Sequence, residues 1–401
     1  MNNGMPTTRR EALAGLAALS LAGCGGNNGS GGPPVASSPS PTPGPAPSPT
    51  PAPTPSLNTL AARKNRRWGS AIAWNAGATG GSIQNPEYTA IVKAECGVVV
   101  PENELKWQAT RPGPDTFAFD RMDQIVAWTQ ANGLAIRGHT LLWHRPRWFP
   151  TWLNNYDFGA NPRAEAERLL TTHIRTVTDR YRGVITSYDV VNEAIDHDTH
   201  GLLETSLSRA MGSVEATLDL AFHTARTQLP TAQLVYNDYM SWEPQHAAHR
   251  ADVLRLLEGF RRRNVPVDAL GIQSHIEILS VDPATGVGPY QEREWRKFLD
   301  EVVAMGFKLL VTEFDVKDKA LPSDMAARDA KVADYSKRYF DVMLDYDALG
   351  DILAWGMVDK FSWLQEFTPR DDKLEVRCLP YDSTYQAKPL RTALAESFAA
   401  A

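Results

Sequence analysis

Two glutamates each close a run of apolar residues in this chain: Glu193 ends the segment DVVNE, and Glu313 ends the segment LLVTE. Two carboxyl groups facing each other across a cleft can cleave an acetal, because an oxocarbenium-like transition state needs a proton donor and a negative partner. A separation of about 5–5.5 Å retains the anomeric configuration, and about 6.5–9.5 Å inverts it. Two buried acids in structural ion pairs are the alternative interpretation.

Polar or aromatic residues also stand at the ends of these two runs and of five others. They are Glu102, Asn103 and Lys106 (second run), His139 and Trp143 (third), Asn192 (fourth), Asn237 and Tyr239 (fifth), Gln273 and His275 (sixth), Asp315 (seventh), and Trp355 and Trp363 (eighth). One polar residue at such a place is readily explained as a cap or a solvated loop. Their recurrence after seven successive runs predicts one shared site.

The elements that must position these residues alternate between strands and helices. The predicted strands are Gly69–Trp74, Gly97–Pro101, Ala135–Leu142, Thr186–Asn192, Leu234–Asn237, Leu270–His275, Lys308–Glu313 and Ile352–Gly356. Helical spacing of apolar residues predicts helices over Phe119–Ala131, Ala164–Tyr181, Val214–Gln228, Pro244–Arg263, Tyr290–Met305 and Ser323–Asp345. This alternation predicts an α/β fold, a (β/α)8 TIM barrel, whose strand ends carry the site. An open doubly wound sheet is less favoured, because no glycine-rich phosphate loop follows the first strand.

Composition excludes several classes of protein. The 401 residues are 43% hydrophobic and 22% charged, which is typical of a folded domain. A net charge of −6 argues against nucleic acid as the main ligand. No apolar run reaches the length of a membrane span, and three cysteines without a zinc-type spacing predict neither a disulfide framework nor a metal site. We expect no cofactor and a monomer.

The first 56 residues differ from the rest, since their only charged side chains are Arg9, Arg10 and Glu11. The paired arginines, a short apolar run and Cys24 resemble a bacterial twin-arginine export signal that ends in a lipoprotein box. The resemblance implies cleavage before Cys24 and acylation of its thiol. An ordinary cleaved signal with an incidental cysteine is the alternative. Eleven of the 28 prolines lie in residues 33–55, as in an extended disordered linker.

We therefore divide the chain into an export signal over residues 1–24, a Pro/Gly/Ser/Thr-rich linker over 25–56 and a catalytic barrel over 57–401. The expected location is the periplasm or the cell surface. Acylated Cys24 would tether the protein to a membrane without a spanning helix. Without acylation, the protein would be secreted.

Seven blocks of the barrel sequence together resemble glycoside hydrolase family 10, the retaining endo-β-1,4-xylanases. The blocks are PENELKW (101–107), GHTLLWH (138–144), DVVNEA (189–194), NDY (237–239), GIQSH (271–275), TEFD (312–315), and WG with DK (355–356 and 359–360). They occur in the family's order from about residue 60 to the end of the chain. The resemblance implies a TIM barrel that hydrolyses xylan or xylo-oligosaccharides.

The resemblance also implies a role for each site residue. Glu193 is the expected acid/base and Glu313 the expected nucleophile. His275, oriented by Asp315, is expected to donate to Glu313, and Gln273 to Glu193 or to its neighbours. Asn192 resembles the donor to the sugar 2-hydroxyl. The other site residues implied are Glu102, Asn103, Lys106 and His139 on the glycone side, Asn237 and Tyr239 on the leaving-group side, and Trp107, Trp143, Trp355 and Trp363 as apolar faces for stacking or as residues that shape the pocket. A cis peptide between His139 and Thr140 is implied as well.

This chain departs from the family pattern at three places on the rim of the expected site. Arg145-Pro146 stands where Ser-Gln is usual, Met240 where Asn is usual, and Leu364 where Arg is usual. The missing Gln is a glycone contact, so we expect altered sugar subsites with unchanged chemistry.

Three other functions are weighed against a xylanase. A metal hydrolase could use His139, His144, His275 and the two glutamates, but the first strand lacks the usual His-x-His pair. A non-catalytic xylan-binding barrel would not need both glutamates. A retaining glucanase or mannanase is disfavoured by the Lys106–Trp107 and His139–Trp143 blocks.

Overall fold

A computed structural model describes residues 55–77, 79–280 and 289–401. The predicted export signal, with Cys24, and most of the predicted linker lie outside these residues. Their assignment therefore stays a prediction from the sequence.

Ten strand segments in the described residues make up eight barrel strands, of which the third and sixth are each interrupted. The strands are Trp68–Ile72, Val98–Pro101, Ala135–Ile136 with Gly138–Trp143, Ser187–Asn192, Gln233–Asp238, Ala269–Ile272 with His275–Glu277, Lys308–Lys317 and Leu349–Ala354. Each overlaps one predicted strand. The prediction of a TIM barrel is confirmed.

All pairings between these strands are parallel, and the third strand closes the barrel. Its first half, Ala135–Ile136, pairs with the second strand, and its second half, Gly138–Trp143, pairs with the fourth. Arg137 is the single residue between the halves, and its backbone N–H donates to the carbonyl oxygen of Val99 (2.9 Å). Parallel pairing brings the carboxyl ends of all eight strands to one mouth.

Side chains alternate between the barrel interior and the surrounding helices. Trp68 and Ile72 of the first strand belong to the large cluster that packs against the helices. Ala71, between them, joins a small separate cluster with Val98 and Leu353. The strands are buried on both faces, and this is why they are nearly continuous apolar runs in the sequence.

Amphipathic helices cover the outside of the barrel. The α-helices are Leu57–Ala62, Pro86–Glu95, Trp107–Thr110, Asp120–Ala131, Thr151–Asn154, Pro162–Arg180, Ser206–Met211, Val214–Gln228, Ala247–Arg262, Glu292–Ala304, Met325–Leu344, Leu364–Phe367 and Pro389–Ala400, with 3-10 turns at Pro146–Trp148, Pro244–His246 and Asp359–Phe361. Within the described residues, no helix has the length and apolarity that crossing a membrane requires. Helix boundaries follow local chemistry: Ser213 caps Val214–Gln228 by accepting from the backbone N–H of Ala216 (3.1 Å).

Cys96 and Cys378 are both buried and unbridged, as expected for small apolar core residues. Burial raises the pKa of both thiols, so neither is set up as a reactive thiolate.

Gly271 of the sixth strand packs too closely against its neighbours to accept a side chain. A Cβ there would lie 2.3 Å from Asn237 Oδ1 and 3.0 Å from Val235 Cγ1. We expect Gly271→Ala to lower the free energy of unfolding by about 1–3 kcal/mol, the usual cost of overpacking, as measured by urea denaturation. Gly350→Ala is the matched control, because its Cβ would meet only Leu309 O at 3.8 Å. Equal stabilities of the two variants would contradict this packing.

Candidate active site

The two glutamates project from the fourth and seventh strands into the mouth of the barrel. Glu193 directly follows the fourth strand, and Glu313 lies within the seventh. Simple alternation would direct Asn192 and Glu193 to opposite faces of the sheet. Glu193 avoids this because its backbone is in the left-handed region, with φ of 51°. Non-glycine residues seldom adopt that conformation, and it is concentrated at functional sites.

Glu313 is surrounded by hydrogen-bond donors and cations. Its Oε1 accepts from Asn237 Nδ2 (2.8 Å), and its Oε2 lies 3.4 Å from His275 Nε2. His139 Nδ1 is 4.0 Å from Oε1. Burial alone would raise the pKa of Glu313, but the bond to His275 and the charges of His139, His275 and Lys106 lower it below its usual value. Glu313 is therefore held as an ionised carboxylate.

A chain of contacts behind His275 keeps the imidazole oriented. His275 Nδ1 lies 2.9 Å from Asp315 Oδ1, and Trp363 Nε1 donates to Asp315 Oδ2 (2.8 Å). Burial opposes protonation of His275, but the charges of Asp315 and Glu313 raise its pKa to about 9. A protonated His275 has an N–H for each carboxylate, so it can donate to Asp315 and Glu313 at once.

Glu193 has a different environment. Burial raises its pKa above the usual value, and the charge of Asp238 adds to this effect. A hydrogen bond from Gln273 Nε2 to Oε1 (2.9 Å) and the charge of Arg145 oppose the rise. The net effect is a pKa of Glu193 above its usual value, opposite in direction to that of Glu313.

Three side-chain amides link the two glutamates across the mouth. Gln273 Nε2 lies 2.9 Å from Glu193 Oε1 and 3.3 Å from the side-chain amide of Asn192. Asn237 Nδ2 lies 2.9 Å from the same Asn192 amide and 2.8 Å from Glu313 Oε1. Thr312 fixes Asn237 in turn by donating to its Oδ1 (2.6 Å). The amide bridge of Gln273, Asn192 and Asn237 thus holds the carboxyl groups in a fixed relation.

A buried ion pair supports His139. His139 Nδ1 lies 2.9 Å from Asp189 Oδ2, and Arg137 Nη2 lies 2.6 Å from Asp189 Oδ1. Although burial would raise the pKa of Asp189, Arg137 and His139 lower it. The peptide bond between His139 and Thr140 is cis, as the resemblance implied.

Lys106, on the loop after the second strand, places a cation among aromatic rings in the wall of the mouth. Its Nζ donates to Asn103 Oδ1 (2.9 Å) and lies 4.6 Å from the ring centre of Trp143 and 5.9 Å from that of Trp355. Burial lowers the pKa of Lys106 and raises that of neighbouring Glu102. This wall presents polar groups beside flat apolar faces, the combination that a sugar ring requires.

One expectation about an individual residue is wrong. Asn237 is fully buried, and both ends of its amide are bonded within the site, to Glu313 and to Thr312. It therefore supports Glu313 and does not contact a leaving-group sugar. Of the two roles expected for Trp107, stacking on a sugar or shaping the pocket, the structure favours the second, because Trp107 is 2% exposed and stacks on His173 at 4.0 Å between ring centres. The type of a residue and its position in the sequence do not distinguish one that contacts substrate from a buried one that holds other site residues in place.

The remaining predicted residues lie around the same mouth or support it. Tyr239 is half-buried, accepts from Arg145 Nη2 (3.1 Å) and stacks on His249 at 4.4 Å between ring centres. Trp355 meets His139 edge-on at 5.3 Å. His144 lies deeper: it is buried and contacts the carbonyl oxygen of Leu203 (3.0 Å). Among the described residues, no group of three or more potential ligands is placed to hold a metal ion.

Sequence reasoning missed the close approach of Arg145 to Glu193. Arg145 Nε lies 2.9 Å from Glu193 Oε2. The available signal was the position of Arg145, two residues after the third strand, which pairs with the fourth strand that carries Glu193. Trp148, which stacks on Trp143 at 4.7 Å between ring centres, was also missed.

Comparison with known proteins now identifies the class. Residues 56–397 match the model of glycosyl hydrolase family 10, and the chain belongs to that family. It is 29% identical to endo-1,4-beta-xylanase B of Thermotoga neapolitana over 326 residues, 81% of this chain and 87% of that protein. It is 31% identical to endo-1,4-beta-xylanase 3 of Hypocrea jecorina over 311 residues, 77% of each. Xylanase 10B from Thermotoga petrophila, solved in complex with xylobiose, shares the fold with a TM-score of 0.73 at 27% identity, covering 86% of this chain and 97% of that one.

Loss of the His275 charge should make Glu313 harder to ionise. In His275→Gln, we expect the acidic limb of the kcat/KM profile to move up by about one pH unit, the lower end of the effect of a nearby opposite charge. The sign follows because His275 lowers the pKa of Glu313 and the carboxylate expected as nucleophile must be ionised to react. The measurement is a pH profile of the unsubstituted enzyme and of His275→Gln. Asp315→Asn, which acts through His275, should give a smaller shift of the acidic limb in the same direction. An acidic limb that stays in place would contradict the role of His275.

Proposed function

We propose that this chain is an endo-1,4-β-xylanase that cleaves internal β-1,4 links of xylan and xylo-oligosaccharides with retention of configuration. Membership of glycosyl hydrolase family 10 supports the class of reaction. The curated relatives named above are endo-1,4-beta-xylanases, and one structural neighbour holds xylobiose. The observation that supports the mechanism best is the pair of glutamates at the mouth of the barrel, which have opposite pKa shifts and are joined by an amide bridge.

In the first half of the reaction, Glu313 attacks the anomeric carbon while Glu193 protonates the departing glycosidic oxygen. The C–O bond to the leaving sugar breaks and an ester bond to Glu313 forms. The low pKa of Glu313 supplies a carboxylate nucleophile, and the raised pKa of Glu193 supplies the proton.

In the second half, Glu193 removes a proton from water, which attacks the ester and releases the sugar. Once Glu313 is esterified, its negative charge is gone. Coulomb coupling between the two groups then lowers the pKa of Glu193, so the former acid becomes the base.

The walls of the mouth fit a pentose chain in this proposal. His139, Lys106, Asn103 and Glu102 would bind the glycone hydroxyls. Trp363, held by Asp315, would occupy the space of the hydroxymethyl group that glucose has and xylose lacks. Pro146 begins a 3-10 turn and has no side-chain amide, so the glycone contact of the usual Gln is absent.

Removing either glutamate should nearly abolish hydrolysis of xylan. We expect Glu193→Ala and Glu313→Ala each to lose about 10³-fold or more in kcat, consistent with the loss of acid/base or nucleophilic catalysis. Azide separates the two roles on an aryl xylobioside: it should give the β-azide with Glu193→Ala and the α-azide with Glu313→Ala. The opposite pattern would exchange the two assignments, and near-normal activity of either variant would refute them.

Substrate choice and stereochemistry are tested by the products. We expect hydrolysis of xylan and xylo-oligosaccharides, with β-anomers as the first products by proton NMR. β-Glucan and β-mannan should be cleaved at least about 100-fold less efficiently, as expected where a site clashes with an added group. A faster reaction on glucan or mannan, or α-anomers as the first products, would contradict the proposal.

We further propose export and lipid anchoring of this enzyme, on the basis of residues 1–24 alone. Intact mass of the protein from a bacterium with twin-arginine export should show a chain that begins at Cys24 with added acyl groups. Cys24→Ala should abolish the acyl mass and release the protein from the membrane fraction. An unmodified N-terminus downstream of Cys24 would contradict the anchor.

A further inference from the structure

Arg145 makes an unusual contact with the proposed acid/base. It lies two residues beyond the third strand, and its Nε is 2.9 Å from Glu193 Oε2. The N–H is not aligned with that oxygen, so the contact is an ion pair without a well-formed hydrogen bond. Gln273 already donates to the other oxygen, Oε1. Both oxygens of Glu193 thus have a nitrogen within 3 Å, a setting that suits a carboxylate.

The guanidinium is anchored at its far end. Nη2 donates to the Tyr239 hydroxyl (3.1 Å) and to the carbonyl oxygen of Ile195 (3.2 Å). The guanidinium carbon lies 5.5 Å from the ring centre of Tyr239. Tyr239 is itself packed on His249, whose Nε2 lies 3.2 Å from Asp238. The side chain is 23% exposed, so these contacts, more than solvent, fix where its charge lies.

Charged groups on several elements surround Glu193. Arg145 approaches from the loop after the third strand, and Asp238 from the end of the fifth strand. Lys106 lies on the loop after the second strand, and Glu313 on the seventh. Among them, Arg145 is the cation in direct contact with a Glu193 oxygen.

We propose that Arg145 is a positioning residue that holds Glu193 in place and stabilises its ionised form, favouring the base that hydrolyses the glycosyl-enzyme. This inference rests on the proposed role of Glu193 and extends it to a residue at one of the positions where the chain departs from the family pattern. Burial favours the neutral acid needed for the first half-reaction. Arg145 provides the opposing charge, so both forms of Glu193 are accessible within one catalytic cycle.

Removing the Arg145 charge should shift one limb in each of two pH profiles, both toward higher pH. For an unactivated xylo-oligosaccharide, kcat/KM requires protonated Glu193, so its alkaline limb should move up in Arg145→Gln. For 2,4-dinitrophenyl β-xylobioside, whose leaving group needs no proton, we expect hydrolysis of the ester to limit kcat. That step requires ionised Glu193, so the acidic limb of kcat should also move up. We expect about one pH unit in each case.

Two variants control for loss of structure. Arg145→Lys keeps the charge, so both limbs should lie close to their positions in the unsubstituted enzyme. Arg147→Gln removes an equal charge from the same rim, where Arg147 is exposed and lies over Trp148 at 4.9 Å from its ring centre, and should move neither limb. Limbs that stay in place in Arg145→Gln, or shifts of equal size in Arg147→Gln, would overturn the inference.

Glu193→Ala distinguishes a failure of this inference from a failure of the proposed function. If Glu193 is the acid/base, this variant accumulates a glycosyl-enzyme on the dinitrophenyl substrate, seen by intact mass, whatever Arg145 does. If no glycosyl-enzyme accumulates, the role of Glu193 itself is wrong and the inference about Arg145 falls with it. If it accumulates and the limbs of Arg145→Gln do not move, the inference alone fails.

Discussion

Two carboxyl groups that share one buried site oppose each other's ionisation, so a pair with separate acid and nucleophile roles needs different surroundings for each. The described site provides this difference. Glu313 is contacted by Asn237 and lies beside His275 and His139, which lower its pKa. The pKa of Glu193 is raised chiefly by burial, against the hydrogen bond from Gln273 and the charge of Arg145. The amide bridge of Gln273, Asn192 and Asn237 fixes both groups without adding a charge.

The barrel makes this arrangement possible, because the participating residues come from separate strands. Gln273 follows the first half of the sixth strand, Asn237 lies in the fifth, and Glu313 lies in the seventh. The register of the strand pairs places Asn192 beside Asn237, and Asn237 beside Gly271. Because Gly271 has no side chain, there is room for the Asn237 amide. A structural change in the packed interior therefore alters the surroundings of Glu313, the proposed nucleophile.

Much of the fold was predictable from the sequence, because buried parallel strands and amphipathic helices have strong local patterns. The helix Val214–Gln228 was predicted with its observed bounds, since a cap and a regular apolar face mark it. The interrupted third and sixth strands were not foreseen. Their breaks depend on pairing with neighbours distant in sequence, which a local pattern does not contain.

The members of the site were predictable by residue type, but several of their contacts were not. The burial of Asn237 and the approach of Arg145 to Glu193 depend on side-chain packing across strands. The left-handed backbone of Glu193 was needed to present it beside Asn192, and only the need for some twist or bulge could be inferred in advance.

The opposite protonation of the two glutamates is tested most directly by carbon-13 NMR titration of the enzyme labelled at glutamate carboxyl carbons. Glu193→Gln and Glu313→Gln assign the two signals. We predict that Glu313 titrates below the usual glutamate range and Glu193 above it, and that the Glu193 signal moves to lower pH when a 2-fluoro sugar is trapped on the enzyme. Coincident titrations, or the reverse order, would contradict the account.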